Sequence, residues 1–399
     1  MEKSIKTLNI IESPIKILFF YSIIHCLMVW SRNIIYSLTI SIFIETILLL
    51  FLILTTVKKV RKADFLGKKI IFSYLLWCIL TILRSLYYIN DKQSINFLIQ
   101  NTFSVLIIST VLLFIDLRYT KYFFSLYIKL GIPIFIFLSF VMLPGCWGWY
   151  LVPIHLIMIF LSKIKLKWKI ICIILFSMSI FDIDTRANLL RGLAIIGCIL
   201  LLQIKKQSII NPISKALSIL LLISPIIFLY LGISGIYNVF ESGENKNDQF
   251  YADTRTLVYD EVISSSINNN YIWIGRTFSH GYDSKFQEQF SNSTKKVERI
   301  SEVSACNIFT WMGCIGLIFY FLCFATSIYY SVFKSRNIYI KTLGVYLAFR
   351  WFMAFIEEIN NVDPLNITIF IIMGICLNPY LINQSDKTFI IAIRKLTRV

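Results

Sequence analysis

Arginine, histidine and glutamate gather in one polar stretch, Tyr237 to Ser304, of a chain that is otherwise strongly apolar. The stretch carries Asp253-Thr254-Arg255-Thr256, Gly275-Arg276-Thr277, His280-Gly281-Tyr282 and the run Arg299 to Ser304. Arg255, Arg276 and Arg299 each offer a planar fork of donors that grips paired anionic oxygens and keeps its charge at any physiological pH. His280 and Glu302 are the candidate general bases: an imidazole titrates near neutrality, and Glu302 stands at the start of a predicted helix. The competing reading makes His280 a solvated loop histidine and Glu302 a cap or partner of Arg299. His25 and His155, the other two histidines, fall inside apolar segments and read as packed or locally hydrogen-bonded.

The elements that must hold these groups are membrane helices. Hydrophobic residues make up 57% of the 399 and charged residues 15%, with 33 phenylalanines; soluble domains carry about 25% charged residues. Too few polar residues remain to cover a soluble surface, so the fold class is an all-α polytopic membrane protein. Apolar runs predict about twelve transmembrane helices near 15–31, 34–57, 69–88, 96–115, 123–143, 150–162, 168–182, 188–204, 214–236, 306–332, 338–357 and 366–383. The chain thus divides into helices one to nine (1–236), one large external loop (237–305), helices ten to twelve (306–385) and a tail (386–399). Within the loop, Asp253 is placed to cap a helix over Thr254–Ser266, with Leu257, Val258 and Val262 apolar. Gly275 and Gly281 mark a tight segment where backbone approaches closely.

Charge orients the helices, since Lys and Arg stay on the cytoplasmic side. Even-numbered connections are rich in them: Lys58, Lys59, Arg61, Lys62, Lys68 and Lys69; Arg118 and Lys121; Lys163, Lys165, Lys167 and Lys169; Lys205, Lys206 and Lys215; Lys334, Arg336 and Lys341. Odd-numbered connections hold Arg32, Lys92, none in Pro144–Trp149, and Arg186. This alternation puts both termini in the cytoplasm and the long loop outside. It also accounts for the net charge of +17 without any nucleic-acid surface. The nine cysteines read as small apolar fillers; Cys146 and Cys306 are the one pair close to the outer face.

A charge at mid-bilayer costs about 2.5–3.5 kcal/mol on insertion scales, so ionisable residues inside spans usually face the protein and carry function. Five are present: Glu45, Arg84, Lys129, Arg191 and Arg350. Lys129 lies near enough to a helix end to snorkel. Arg84, Arg191 and Arg350 all fall in the outer half of the membrane, and Arg186 enters at the same level. Guanidinium groups at that depth suit a lipid-linked diphosphate, whose phosphates lie at the interface. The alternative is that they pair with Glu45, Glu357 and Glu358 and hold helices together.

A resemblance follows from these residues. Asp253-Thr254-Arg255-Thr256 and Gly275-Arg276, then Arg299-Ile300-Ser301-Glu302-Val303, then Asn307-Ile308-Phe309-Thr310-Trp311 with Gly313 and Gly316, resemble the bacterial O-antigen and capsule polysaccharide polymerases, grouped with the O-antigen ligases. Asp184-Thr185-Arg186 at a helix start, and the layout of about twelve spans with one outer loop, are similar too. The histidine motif of the ligase branch is not reproduced around His280, which favours a polymerase. The resemblance implies a C-type glycosyltransferase (GT-C-like) membrane fold and a metal-independent, inverting glycosyl transfer that needs no cofactor. The implied donor and acceptor are oligosaccharides on undecaprenyl diphosphate, handled beside membrane lipid, with a flippase and a chain-length regulator of the same pathway as partners. Arg186, Arg191, Arg255 and Arg276 would hold the diphosphate, Arg84, Arg299 and Arg350 would add contacts, and His280 or Glu302 would serve as base. Two rivals stay open: an O-antigen ligase, and an exporter of lipid-linked oligosaccharide.

Overall fold

The computed structural model describes residues 14–26, 47, 65–140, 144–160, 166–181, 186–204, 206–233, 254–284 and 297–397. The predicted second helix at 34–57, with Glu45, falls outside these apart from Ile47, as do Asp184, Thr185 and Asp253. The described helices are α1 Pro14–Cys26, α2 Lys68–Tyr87, α3 Lys92–Phe114, α4 Leu117–Leu138, α5 Pro144–Tyr150, α6 Val152–Ile159, α7 Leu166–Ser179, α8 Arg186–Gln203, α9 Gln207–Ile233, α10 Thr254–Asn268, α11 Ser304–Ile328, α12 Ile338–Met353, α13 Pro364–Leu377, α14 Pro379–Ile382 and α15 Asp386–Thr397. Six stretches, α2, α3, α4, α8, 207–227 of α9, and α11 continued through a π-turn to Lys334, are long and apolar enough to cross a membrane. Large apolar side chains such as Leu76, Leu83, Phe137, Leu200 and Leu220 point outward from four of these helices. Such surfaces suit lipid, so this is a helical, membrane-embedded protein.

Two sequence expectations are corrected. Pro144–Trp149, expected as a connection, is helical as α5, and the sixth helix predicted at 150–162 is the shorter α6, the two meeting at Leu151. Proline lacks the N–H that a first helical turn leaves unused, so Pro144 opens α5 and Pro153 stands in the first turn of α6. The tail from 386 carries α15, with Phe389 buried against Phe160 and Tyr339.

At the centre lies α13, every residue of which is buried, as expected of a helix that is apolar all round. It packs against α3, α6, α11 and α12, and α12 in turn packs against α8, α9 and α11. The connections sort to two ends. At one end Leu66 N–H meets Leu377 O at 3.1 Å, Asn378 Nδ2 meets Ile115 O at 2.7 Å, and Gln207 Nε2 meets Arg336 O at 3.3 Å. At the other end Asn188 Nδ2 reaches Gly145 O at 3.0 Å, and Ser304 N–H reaches Glu357 O at 3.3 Å. Lys68, Arg118, Lys206 and Arg336 of the lysine-rich connections lie beside the first group of contacts, and the described residues around the second are poor in lysine; we call the second the loop end.

The described part of the loop is built into the bundle. Gly313 breaks α11 with φ 67° and ψ −169°, which leaves backbone groups without helical partners. Residues 272–277 supply them. Arg276 N–H and Thr277 N–H donate to Thr310 O and Trp311 O at 2.6 and 3.2 Å, while Cys314 N–H and Ile315 N–H donate to Ile272 O and Trp273 O at 2.8 and 3.2 Å. Gly275 also has positive φ, 73°, and faces the break. A Cβ on either glycine would collide with the other segment's backbone, so both positions require glycine. A two-stranded ribbon, β1 Tyr282–Asp283 against β2 Glu298–Arg299, then returns the chain to α11.

Candidate functional site

Two arginines from different helices meet inside the loop end. Arg191 lies in the second turn of α8 and Arg350 in the last turn of α12. Both are fully buried. Between them reaches Glu357, from the connection after α12: its Oε2 is 3.5 Å from Arg191 Nη2 and its Oε1 is 2.9 Å from Arg350 Nη1. Arg191 is further held by Ala187 O at 3.0 Å from Nε and by Asn188 Oδ1 at 2.7 Å from Nη2. Hydrogen bonds do not exhaust the donors. Among the described residues, Arg191 Nη1 and Arg350 Nε, Nη1 and Nη2 have no hydrogen-bond acceptor, and Glu357 Oε1 has no hydrogen-bond donor despite its short ion pair. Each unmet buried donor costs about 1–3 kcal/mol, and two buried cations on one carboxylate leave charge uncompensated. Tyr346 and His155 lie within the electrostatic reach of both guanidiniums, and Tyr346 Oη and His155 Nδ1 are also without partners.

The carboxylates that follow fix the connection. Glu358 accepts from Ser304 Oγ at 2.7 Å, Asn307 Nδ2 at 2.5 Å and Asn360 N–H at 2.8 Å. Burial pushes its carboxyl above the ordinary range, against these bonds, which favour the ion. Asp363 caps α13 by accepting from Asn366 N–H at 2.7 Å. Burial pushes Asp363 up to about 7, a rise that Arg191 and Arg350 oppose. Asp363 therefore offsets their charge only in part near neutrality.

A second group gathers on the inserted segment. Arg276 Nη1 donates to Gly281 O at 3.0 Å and pairs with Asp283 Oδ1 at 2.5 Å, and its Nη2 pairs with Glu298 Oε1 at 3.0 Å. Glu298 also meets His280 Nδ1 at 3.1 Å and accepts from Gly281 N–H at 3.1 Å. Arg84 Nη2 donates to Ile274 O and Gly275 O at 2.6 and 2.8 Å. Phe278 N–H donates to Ser85 Oγ at 2.9 Å and its carbonyl accepts from Asn101 Nδ2 at 2.8 Å. These side chains clasp the segment between α2, α3 and α11.

The sequence-predicted residues therefore separate. Arg191 and Arg350 come together on Glu357, the partner that the alternative reading gave them. Arg84, Arg276 and His280 form the clasp. Arg186 is exposed at the start of α8, and Glu302 is exposed just before α11. Arg299 is half-buried on β2 and makes no ion pair among the described residues. Arg255 lies in the first turn of α10, whose apolar side is Val258 and Val262 while Leu257 is exposed; the Arg255 side chain lies outside the described residues. Cys306 is a buried free thiol. Sequence reasoning missed Asn188, Glu298, Asp283 and Asp363. Asp363-Pro364 is a readable helix start, whereas the other three act across tertiary contacts that no local pattern announces.

No protein-family model, curated protein or solved structure matches the chain. The class that fold and site define is a helical membrane protein with a buried, incompletely satisfied cation pair at its loop end.

Proposed function

We propose that the protein polymerises oligosaccharide repeat units carried on undecaprenyl diphosphate, at the outer face of a bacterial cytoplasmic membrane that it crosses about twelve times with its loop end outside. One observation carries the reading: Arg191 and Arg350 are fully buried and, among the described residues, together keep four nitrogens without a hydrogen-bond acceptor. A buried cation pair of that kind suits an anion with several acceptor oxygens, and a diphosphate has them. The lysine-poor character of the same end fits an outward-facing site.

In this reading Arg191 and Arg350 hold the diphosphate of the donor and stabilise the charge that grows on it as it leaves. A hydroxyl oxygen of the acceptor unit bonds to the anomeric carbon from the opposite face. The bond from that carbon to the diphosphate oxygen breaks, and the electron pair leaves with the diphosphate. The hydroxyl proton passes to a base, for which exposed Glu302 and Glu298-bound His280 are the candidates. Only one of E302Q and H280Q then loses about 10²–10⁴-fold in rate. Arg186, Arg255 and Arg299 remain candidate contacts for the sugar-proximal phosphate or the glycan.

The lipid-linked glycans of a strain lacking the protein test the reading. A polymerase loss leaves single repeat units at the surface. A ligase loss leaves long polymer unattached, and an exporter loss leaves no units outside; either result overturns it.

A further inference from the structure

Glu357 is the one carboxylate that ion-pairs with both buried guanidiniums among the described residues, and its position is unusual for a plain counter-ion. Its side chain is 13% exposed while those of Arg191 and Arg350 are 0% exposed, so an anion approaching from the surface meets Glu357 first. The attachment is one of charge more than of hydrogen bonding. Oε1 is 2.9 Å from Arg350 Nη1, yet neither atom has a hydrogen-bond partner among the described residues. Two carboxylate oxygens also cannot serve all the donors that the two arginines present.

The backbone around it is held on both sides. Glu357 N–H donates to Met353 O at 2.8 Å, and Glu357 O accepts from Ser304 N–H at 3.3 Å. Glu358, the next residue, is tied to Ser304, Asn307 and Asn360. Rotation of the side chain alone therefore moves the carboxylate out of the arginines' reach, while the connection stays in place.

We propose that the Glu357 carboxylate is an internal stand-in for the ligand's phosphate, which the incoming diphosphate displaces. The inference rests on the reading of Arg191 and Arg350 as a diphosphate seat, and it adds a source of selectivity. A ligand gains only the difference between its own interaction with the guanidiniums and that of the carboxylate it replaces. A phosphodiester headgroup carries one charge, as the carboxylate does, and gains little. A diphosphate brings two charges and more acceptor oxygens, and wins. The abundant anionic lipids of the membrane are thereby kept from a seat that a rare diphosphate lipid must find.

Binding decides it, without reference to polymer formation. Farnesyl diphosphate and a short-chain phosphatidylglycerol are titrated against the detergent-solubilised full chain, as wild type, as E357Q, and as E357Q with R350A. The expected result is that E357Q binds farnesyl diphosphate about tenfold tighter or more, the usual size of coupling between mutually exclusive ligands. It also binds phosphatidylglycerol, which the wild type does not, and adding R350A removes both. Should E357Q not fold, E357D carries the test, because its shorter carboxylate holds the guanidiniums less well and binding should still tighten. Equal or weaker diphosphate binding in the folded variant overturns the role of Glu357 alone. No diphosphate binding by either protein overturns the seat, and with it the reading of the site.

Discussion

The loop end holds two sets of arginines, and they differ in what their donors do. Arg276 and Arg84 give theirs to the protein: one to Asp283, Glu298 and Gly281, the other to the carbonyls of Ile274 and Gly275. Arg191 and Arg350 are more deeply buried, yet keep four nitrogens without a hydrogen bond among the described residues, one of them, Arg350 Nη1, in an ion pair with Glu357. A structural cation is one whose hydrogen-bonding capacity the fold consumes. A ligand-binding cation is one that the fold buries and orients but does not satisfy, at a cost in stability. Both sets are charged and at least partly buried; what separates them is how many of their donors the described residues satisfy.

The largest effect that would break the comparison is on activity. R350A is expected to lose about a hundredfold or more in chain extension at matched protein level, the usual result of removing a contact to charge that develops in the transition state. R350K should recover little, because an ammonium does not reproduce the planar fork. Normal polymer from R350A would put Arg350 with the structural set.

Next comes the helix break that seats the clasp. G313A forces a side chain onto a backbone with φ 67° and into the carbonyl of Trp273. A cost of about 1–3 kcal/mol for the conformation alone is expected, with the collision added. Thermal unfolding in detergent reads it, and an unshifted midpoint would mean that the inserted segment does not depend on the break.

R276A should sharpen the contrast with Arg350. Loss of its pairs takes the guanidinium from Asp283 and Glu298 in a half-buried site, though Asn269, His280 and the Gly281 N–H stay on them, a cost of about 1–3 kcal/mol. Folded R276A should polymerise within a few-fold of wild type. A hundredfold loss without loss of stability would move Arg276 into the diphosphate site.

The smallest effect is on pH dependence. Burial pushes Asp363 up to about 7, so the carboxyl is mostly neutral below that pH and mostly charged above it. Charge on Asp363 cancels part of the charge on Arg191 and Arg350. Binding of a diphosphate diester, which does not itself titrate there, should therefore strengthen as pH falls from 8 to 6 and weaken as it rises. D363N should remove the dependence and bind at the low-pH level throughout. A wild type with flat binding over that range contradicts the assigned coupling.

Much of this arrangement is legible in the sequence, for identifiable reasons. Apolar runs locate most of the helices, because a helix facing lipid must be apolar for its whole length. Lysine distribution predicts which connections share an end, and Asn378–Ile115 and Asn188–Gly145 contacts place four of them accordingly. Arg191 and Arg350 stand out because charges inside apolar helices are rare, and Gly275 because close approach needs glycine. Other features are set by distant partners. The break at Gly313 depends on residues 272–277 taking over its hydrogen bonds, about forty positions earlier in the chain. Arg276 looks as free as Arg191 until β2 brings Glu298 beside it. Pro144–Ile159 divides at its prolines into α5 and α6, but the packing of both against α7, α8 and α13 is set by those distant helices.

Direct binding tests the central claim, that Arg191 and Arg350 form an anion seat. Farnesyl diphosphate is titrated against the purified full chain and against R191A, R350A and R276A, each checked for folding by thermal unfolding. The account predicts saturable binding to wild type and R276A, and its loss in R191A and R350A. Binding that survives both R191A and R350A, or that disappears only in R276A, contradicts it.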